Sequence, residues 1–282
     1  MAILYLCACA LFIGALEGVT EWLPISSTGH MILFDELLGM KDHPAITSEF
    51  YAFFLVAIQL GAILSVVFLY FDRLFPFSRK KTLFEKKRTW RLWLCVLLGA
   101  LPAAVVGIPL DDFLEKYLYG FPVVAAMLIL YGIAFIVIER RRKQTSYRLE
   151  EVSVISYRDA FWIGCFQVLS LIPGTSRSGA TVLGGMLLGI SRTASAEFSF
   201  FMAIPVMLGA SLVRGVKFMT VGTAMTGTEF LVLFIGFIAA FLVSLLSIRF
   251  FVSFVKRHSF EVFGWYRIFL GGIVLLFAFL FR

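Results

Sequence analysis

The chain has 282 residues, of which 60% are hydrophobic and 15% charged, with a mean hydropathy of +0.93. Soluble domains carry about a quarter charged residues, so this composition excludes one. The net charge of +7 would point to nucleic acid in a soluble protein, but the basic residues sit between apolar runs, a pattern of membrane topology rather than of nucleic-acid binding.

Those apolar runs approach the roughly 20 residues that a helix needs to cross the hydrocarbon, and the alternating ten-residue segments of a β-barrel are absent from the sequence. The four cysteines, Cys7, Cys9, Cys95 and Cys165, lie in apolar runs without metal-site or disulfide spacing, and are expected to be buried thiols. No basic segment precedes the apolar N-terminus, so no cleaved signal peptide is expected.

From Ile3 an apolar run leads into Glu17 and Glu21, followed by Ser26-Ser27-Thr28-Gly29-His30 and a short run from Met31 to Leu38. Neither arm makes a convincing complete span, and a helix pair that dips into the membrane and returns is expected; irregular backbone at that depth is tolerated where it lines a cavity. Phe50 to Phe71 is a full span. A loop carrying Arg73, Arg79, Lys80, Lys81, Lys86, Lys87, Arg88 and Arg91 follows, cytoplasmic by the positive-inside rule. Leu92 to Leu110 goes out, interrupted by Pro102 and Pro109, and ends at Asp111, Asp112 and Glu115; Phe121 to Ile138 returns to a second basic loop with Arg140 to Lys143, Arg148 and Arg158.

Phe161 to Ile172 is again a short arm, leading into Pro173-Gly174-Thr175-Ser176-Arg177-Ser178-Gly179-Ala180-Thr181 and a second arm to Ile190. Three further spans follow, over Phe198 to Leu212, Phe230 to Ile248 and Val262 to Phe281. At a constant offset of 150, Gly14 aligns with Gly164, Glu17 with Gln167, Ser26 with Ser176, Gly29 with Gly179, and Leu37-Leu38-Gly39 with Leu187-Leu188-Gly189. The fold expected is an all-α polytopic membrane protein, a single integral membrane domain over 1–282. It has six full transmembrane helices and two re-entrant helix pairs in an inverted-topology repeat, approximately 1–138 and 159–282, with both termini outside the cytoplasm. Such repeats bring their polar turns together near the midplane, so residues 17–30 and 173–181 should share one cavity.

Ionisable groups at that depth are costly and usually face a cavity, a partner or a substrate. Glu17 and Glu21 share a helix face and repel unless a proton or cation lies between them, which suggests a divalent metal with oxygen ligands, Mg²⁺ or Ca²⁺. In the second turn, Gly174 permits close approach of backbone N–H groups, Ser176 and Ser178 add hydroxyls, and Arg177 offers a fork matched to phosphate oxygens. The arm that starts there adds its N-terminal dipole. The plainer alternative is a helix-packing patch with Arg177 paired to Glu17 or Glu21. Ser26, Ser27 and Thr28 supply hydroxyls from the other side, and His30 could exchange a proton at neutral pH.

Three motifs, Glu17-x-x-x-Glu21, Ser26-Ser-Thr-Gly-His30 and Pro173-Gly-x-Ser-Arg-Ser-x-x-Thr181, give a sequence that resembles the bacterial undecaprenyl-diphosphate phosphatase family of the bacitracin-resistance type, over essentially the whole chain. The resemblance implies a metal-dependent enzyme of the bacterial cytoplasmic (inner) membrane. It would convert a C55 polyprenyl diphosphate to the monophosphate carrier used in cell-wall synthesis, with its active site open to the periplasmic or outer face. It further implies that Glu17 and Glu21 bind the metal, that Arg177 clamps the diphosphate with Ser176, Ser178 and Thr181, and that Ser27 is the nucleophile with His30 as its proton partner. A metal-activated water in place of Ser27 stays open. So do a homodimer and a reading from another class, a secondary transporter or flippase for an anionic lipid, since fold does not settle function.

Overall fold

In the computed structural model the described residues are 2–142, 147–220 and 225–280, apart from the side chains of Asp111, Asp112 and Glu115. The acidic side chains expected at the end of the third run, and Lys143, lie outside them. Among the described residues every regular segment is helical, and the one β-type contact is an isolated bridge between Leu149 and Ile190. The helices are α1 (Ala2–Thr20), α2 (Ser27–Leu38), α3 (Ser48–Leu69), α4 (Phe71–Leu74), α5 (Leu83–Leu118), α6 (Phe121–Arg142), α7 (Tyr157–Val168), α8 (Arg177–Leu187), α9 (Arg192–Thr220), α10 (Gly227–Val255) and α11 (Glu261–Leu280).

Seven of these are long and apolar enough to cross a membrane: α1, α3, α5, α6, α9, α10 and α11. Six full spans were expected. The seventh is α1, whose 19 residues run unbroken from Ala2 to Thr20. The short helices α2, α7 and α8, of 12, 12 and 11 residues, are the arms that flank the two polar turns.

Two other expectations are corrected. Pro102 and Pro109 do not interrupt the third span, because α5 is continuous from Leu83 to Leu118 with both prolines inside it. Neighbouring helices make such prolines tolerable in a bundle. Its start lies well before Leu92, since Thr82 and Glu85 form a reciprocal capping box; Lys86, Lys87, Arg88 and Arg91 are therefore helical residues and not loop. Glu197 lies inside α9 and pairs with Arg73 at 2.8 Å. The cysteines form no disulfide among the described residues, and Cys9 and Cys95 are buried while Cys7 and Cys165 are half-buried.

Small residues bring the long helices into contact, as expected where lipid leaves packing as the main driving force. A Cβ on Gly14 would stand 2.2 Å from the Gly236 carbonyl oxygen, so α1 meets α10 backbone to backbone. Gly164 stands in the same relation to the Gly99 oxygen, again at 2.2 Å, joining α7 to α5. These contacts hold α1 and α7 each against a long helix, and so hold the polar turns that follow them.

Candidate active site

At the first turn, α1 ends with Thr20, whose hydroxyl bonds back to the Leu16 carbonyl at 2.8 Å. The Glu21 amide still donates to the Glu17 carbonyl at 3.0 Å, so the helical path carries both carboxylates to the same face. Both are buried. A turn over 21–25 follows, and Ser26 begins α2 with φ 74° and ψ 101°, its Oγ accepting the Gly29 amide at 3.2 Å. His30 donates Nδ1–H to the Ser26 carbonyl at 2.7 Å, because a carbonyl only accepts. In the neutral ring Nε2 is then the acceptor, and it receives the Tyr266 hydroxyl at 2.7 Å.

The second turn repeats this construction. After the 3₁₀ turn Leu169–Leu171, Gly174 takes φ 91°, and a Cβ there would come 2.5 Å from the Val124 carbonyl oxygen, so the backbone lies directly on α6. Ser176 begins α8 with φ 70° and ψ 128°, and its Oγ accepts the Gly179 amide at 3.2 Å. Ser26 and Ser176 are the non-glycine residues with positive φ among those described. Such conformations cost of order 1–3 kcal/mol and persist where surrounding structure enforces them, often at functional sites. Gly39 and Gly189, which follow α2 and α8, also have positive φ.

The two turns meet. Arg177 directs Nε and Nη2 to Glu21 Oε1 at 3.2 and 3.0 Å, and Nη1 to the Ser199 carbonyl at 2.6 Å. Ser27 donates to the other oxygen of the same carboxylate, Glu21 Oε2, at 3.3 Å. Ser178 Oγ reaches the Leu23 carbonyl at 3.3 Å. From α11, Arg267 reaches both turns, donating to the carbonyls of Pro24, Gly174 and Thr175 at 3.1, 2.7 and 2.9 Å.

Thus Glu17, Glu21, Ser26, Ser27, His30, Arg177 and Ser178 gather in one region, with Thr28 half-buried at the start of α2. Three details differ from expectation. Arg177 is paired with Glu21, the arrangement weighed as the alternative. Ser27 bonds to Glu21 while the ring of His30 is engaged by Ser26 and Tyr266. Thr181 is fully buried, with its hydroxyl bonded to the Arg177 carbonyl at 2.9 Å and to Ser199 Oγ at 2.7 Å, so it seats Arg177. Gly174 contributes a carbonyl to Arg267.

Sequence reasoning passed over Ser199, Tyr266 and Arg267. A lone arginine inside the apolar run Val262 to Phe281 was a legible signal of an intramembrane charge; Ser199 and Tyr266 carry none.

As for a metal, no group of three or more His, Cys, Asp or Glu side chains comes together among the described residues. Glu17 Oε1 is nevertheless buried without a hydrogen-bond partner, beside a second carboxylate one turn away. Mg²⁺ is commonly held by one or two carboxylates plus substrate phosphates and water, and the donor set fits such a site.

Residues 10–273 match the family model described as Bacitracin resistance protein BacA, a stretch that contains both turns and every site residue above. The chain belongs to this family. Its curated relatives include a protein named "Undecaprenyl-diphosphatase" from Streptococcus mutans, 52% identical over 269 residues that cover 95% of each chain. Proteins of the same name from Latilactobacillus sakei and Enterococcus faecalis are each 50% identical over 266 residues, 94% of this chain and 95% of theirs.

Proposed function

We propose that this membrane protein hydrolyses undecaprenyl diphosphate to the monophosphate and inorganic phosphate, returning the lipid carrier to cell-wall synthesis from the bacterial cytoplasmic membrane. The observation that carries this reading is the shared carboxylate: Glu21 binds Arg177 from one turn and Ser27 from the other. A cation fork suited to phosphate and a hydroxyl suited to attack it thereby lie on either side of one acid. The names borne by relatives at 50% identity agree with it.

In this reading Arg177 turns from Glu21 to the diphosphate when substrate enters, helped by Ser176, Ser178 and the hydroxyls of Ser26 and Thr28. Ser27 Oγ attacks the terminal phosphorus, and its proton passes to Glu21 Oε2, the oxygen it already donates to. The bond to the bridging oxygen breaks and polyprenyl monophosphate leaves. Water then cleaves the phosphoserine and restores the Ser27 hydroxyl. His30 would exchange a proton with the site only through the hydroxyl of Tyr266 or by releasing it. Glu17 and Glu21 would hold a divalent cation, Mg²⁺ or Ca²⁺, which when bound supplies charge neutralisation for the phosphate oxygens. Positioning and neutralisation of this kind are most of what phosphoryl transfer requires.

We further infer an inverted repeat with two re-entrant pairs, in which α1, though long enough to cross a membrane, pairs with α2 as α7 does with α8. Its support is the pairing of like features at the same offset: Ser26 with Ser176, Gly39 with Gly189, and the Gly14 contact with that of Gly164. The site would open to the outer face, with the polyprenyl tail in lipid against the bundle. Phosphate release from polyprenyl diphosphate by the purified protein, with and without EDTA, tests the proposal. Release that EDTA abolishes is expected; no release, with lipid moving across proteoliposomes, would favour a carrier.

A further inference from the structure

Arg267 is fully buried and, with Glu261 at the helix start, one of two charged residues in α11. Among the described residues it has no carboxylate partner; its neighbours are three carbonyls and the ring of Tyr131, 5.5 Å from the guanidinium. A buried cation without a counter-charge is expensive, and carbonyls and an aromatic face compensate it only in part. Its presence there therefore calls for a role other than stability.

The choice of carbonyls supplies one. Pro24 lies three residues before Ser27, and Gly174 three residues before Arg177. The guanidinium grips the same point of each turn, upstream of the hydroxyl on one side and of the cation on the other. The first turn of α8 passes against it, for a Cβ on Gly179 would stand 3.2 Å from Nη1. A planar fork can span two carbonyl groups at a fixed separation, whereas an ammonium is a point charge.

We propose that Arg267 is a positioning residue that sets the spacing between the two polar turns, and so holds Ser27 and Glu21 at a working distance from Arg177. Being buried, it does not touch substrate. The consequence for turnover rests on the phosphatase reading above.

Arg267→Lys keeps the charge and loses the fork. In purified, folded protein we expect its kcat to fall by about tenfold or more with KM for polyprenyl diphosphate little changed, since misplacement near 1 Å can cost about 10²-fold. A second readout needs no turnover. The coupling between Arg177→Ala and Glu21→Gln, measured by a double-mutant cycle on thermal unfolding, should be present in the wild-type background and lost in the Arg267→Lys background. If Arg267→Lys retains both kcat and that coupling, the clasp is overturned while the phosphatase reading stands. If the wild type releases no phosphate but the coupling is still lost, the phosphatase reading falls and the clasp survives. Should Arg267→Lys fail to fold, Tyr131→Leu, which removes the ring beneath the guanidinium, decides by the same two readouts: a smaller fall in kcat and weaker coupling support the clasp, and no change in either overturns it.

Discussion

At the first polar turn Ser26, with φ 74°, caps α2 through the Gly29 amide; at the second Ser176, with φ 70°, caps α8 through the Gly179 amide. The backbones are alike and the side chains that follow are opposed. One turn brings two carboxylates and an imidazole alongside Ser26, Ser27 and Thr28, and the other brings a guanidinium alongside Thr175, Ser176, Ser178 and Thr181. Two turns of one shape carry unlike charges, and in the proposed reading that difference is why neither turn alone would bind and split a phosphoanhydride. Carboxylates repel an anion unless a cation intervenes, whereas a guanidinium can bind one but cannot attack it.

The largest effect should come from stripping the charge of the second turn. Arg177→Ala is expected to lower phosphate release by about 10²–10³-fold or more, as removal of a charge-stabilising donor commonly does, measured on protein that elutes and melts as a folded species. Near-normal turnover would break the division of labour. The matching change in the first turn, Glu17→Gln with Glu21→Gln, should abolish release together with its dependence on added Mg²⁺ or Ca²⁺. Activity that survives both the substitutions and chelation would remove the metal from the proposal.

How far these parts could be read in advance differs between the two turns and the helix behind them. Each turn announces itself in sequence because polar residues interrupt apolar runs, and the constant offset of 150 between Ser26 and Ser176 ties them together. Their convergence was legible for the same reason. The partners within the site were not: spacing put His30 beside Ser27 on one helix, but the ring is drawn away by Tyr266, 236 residues later. Helix ends were equally hidden. Nothing in local hydropathy signals that α5 continues through two prolines from Leu83 to Leu118.

A subtler asymmetry concerns the hydroxyl. Ser27 is the attacking group in this reading, whereas its counterpart at the same offset is Arg177, which cannot attack. Ser27→Ala should therefore reduce release strongly, and rapid quenching of the wild type should trap a phosphoserine at that position. Full activity in Ser27→Ala would put water in its place and leave the turns with only binding roles.

The smallest effect asks whether the shared backbone is a real identity. A positive φ of this kind costs a non-glycine residue of order 1–3 kcal/mol, while exchanging a serine cap for glycine costs only a few tenths of a kcal/mol. Ser26→Gly should accordingly leave stability unchanged or raise it by about 1 kcal/mol, read as the thermal midpoint in detergent. Ser176→Gly should gain less, because the Ser176 hydroxyl also contacts Ser178 Oγ at 3.1 Å and that contact is lost. Gains in both, in that order, mean that strain is built into the two turns alike and held there by the same surroundings. A clear loss in one variant alone would mean that the serine side chain is holding that turn in a way its counterpart is not, and the likeness of the backbones would then be one of shape without common energetics.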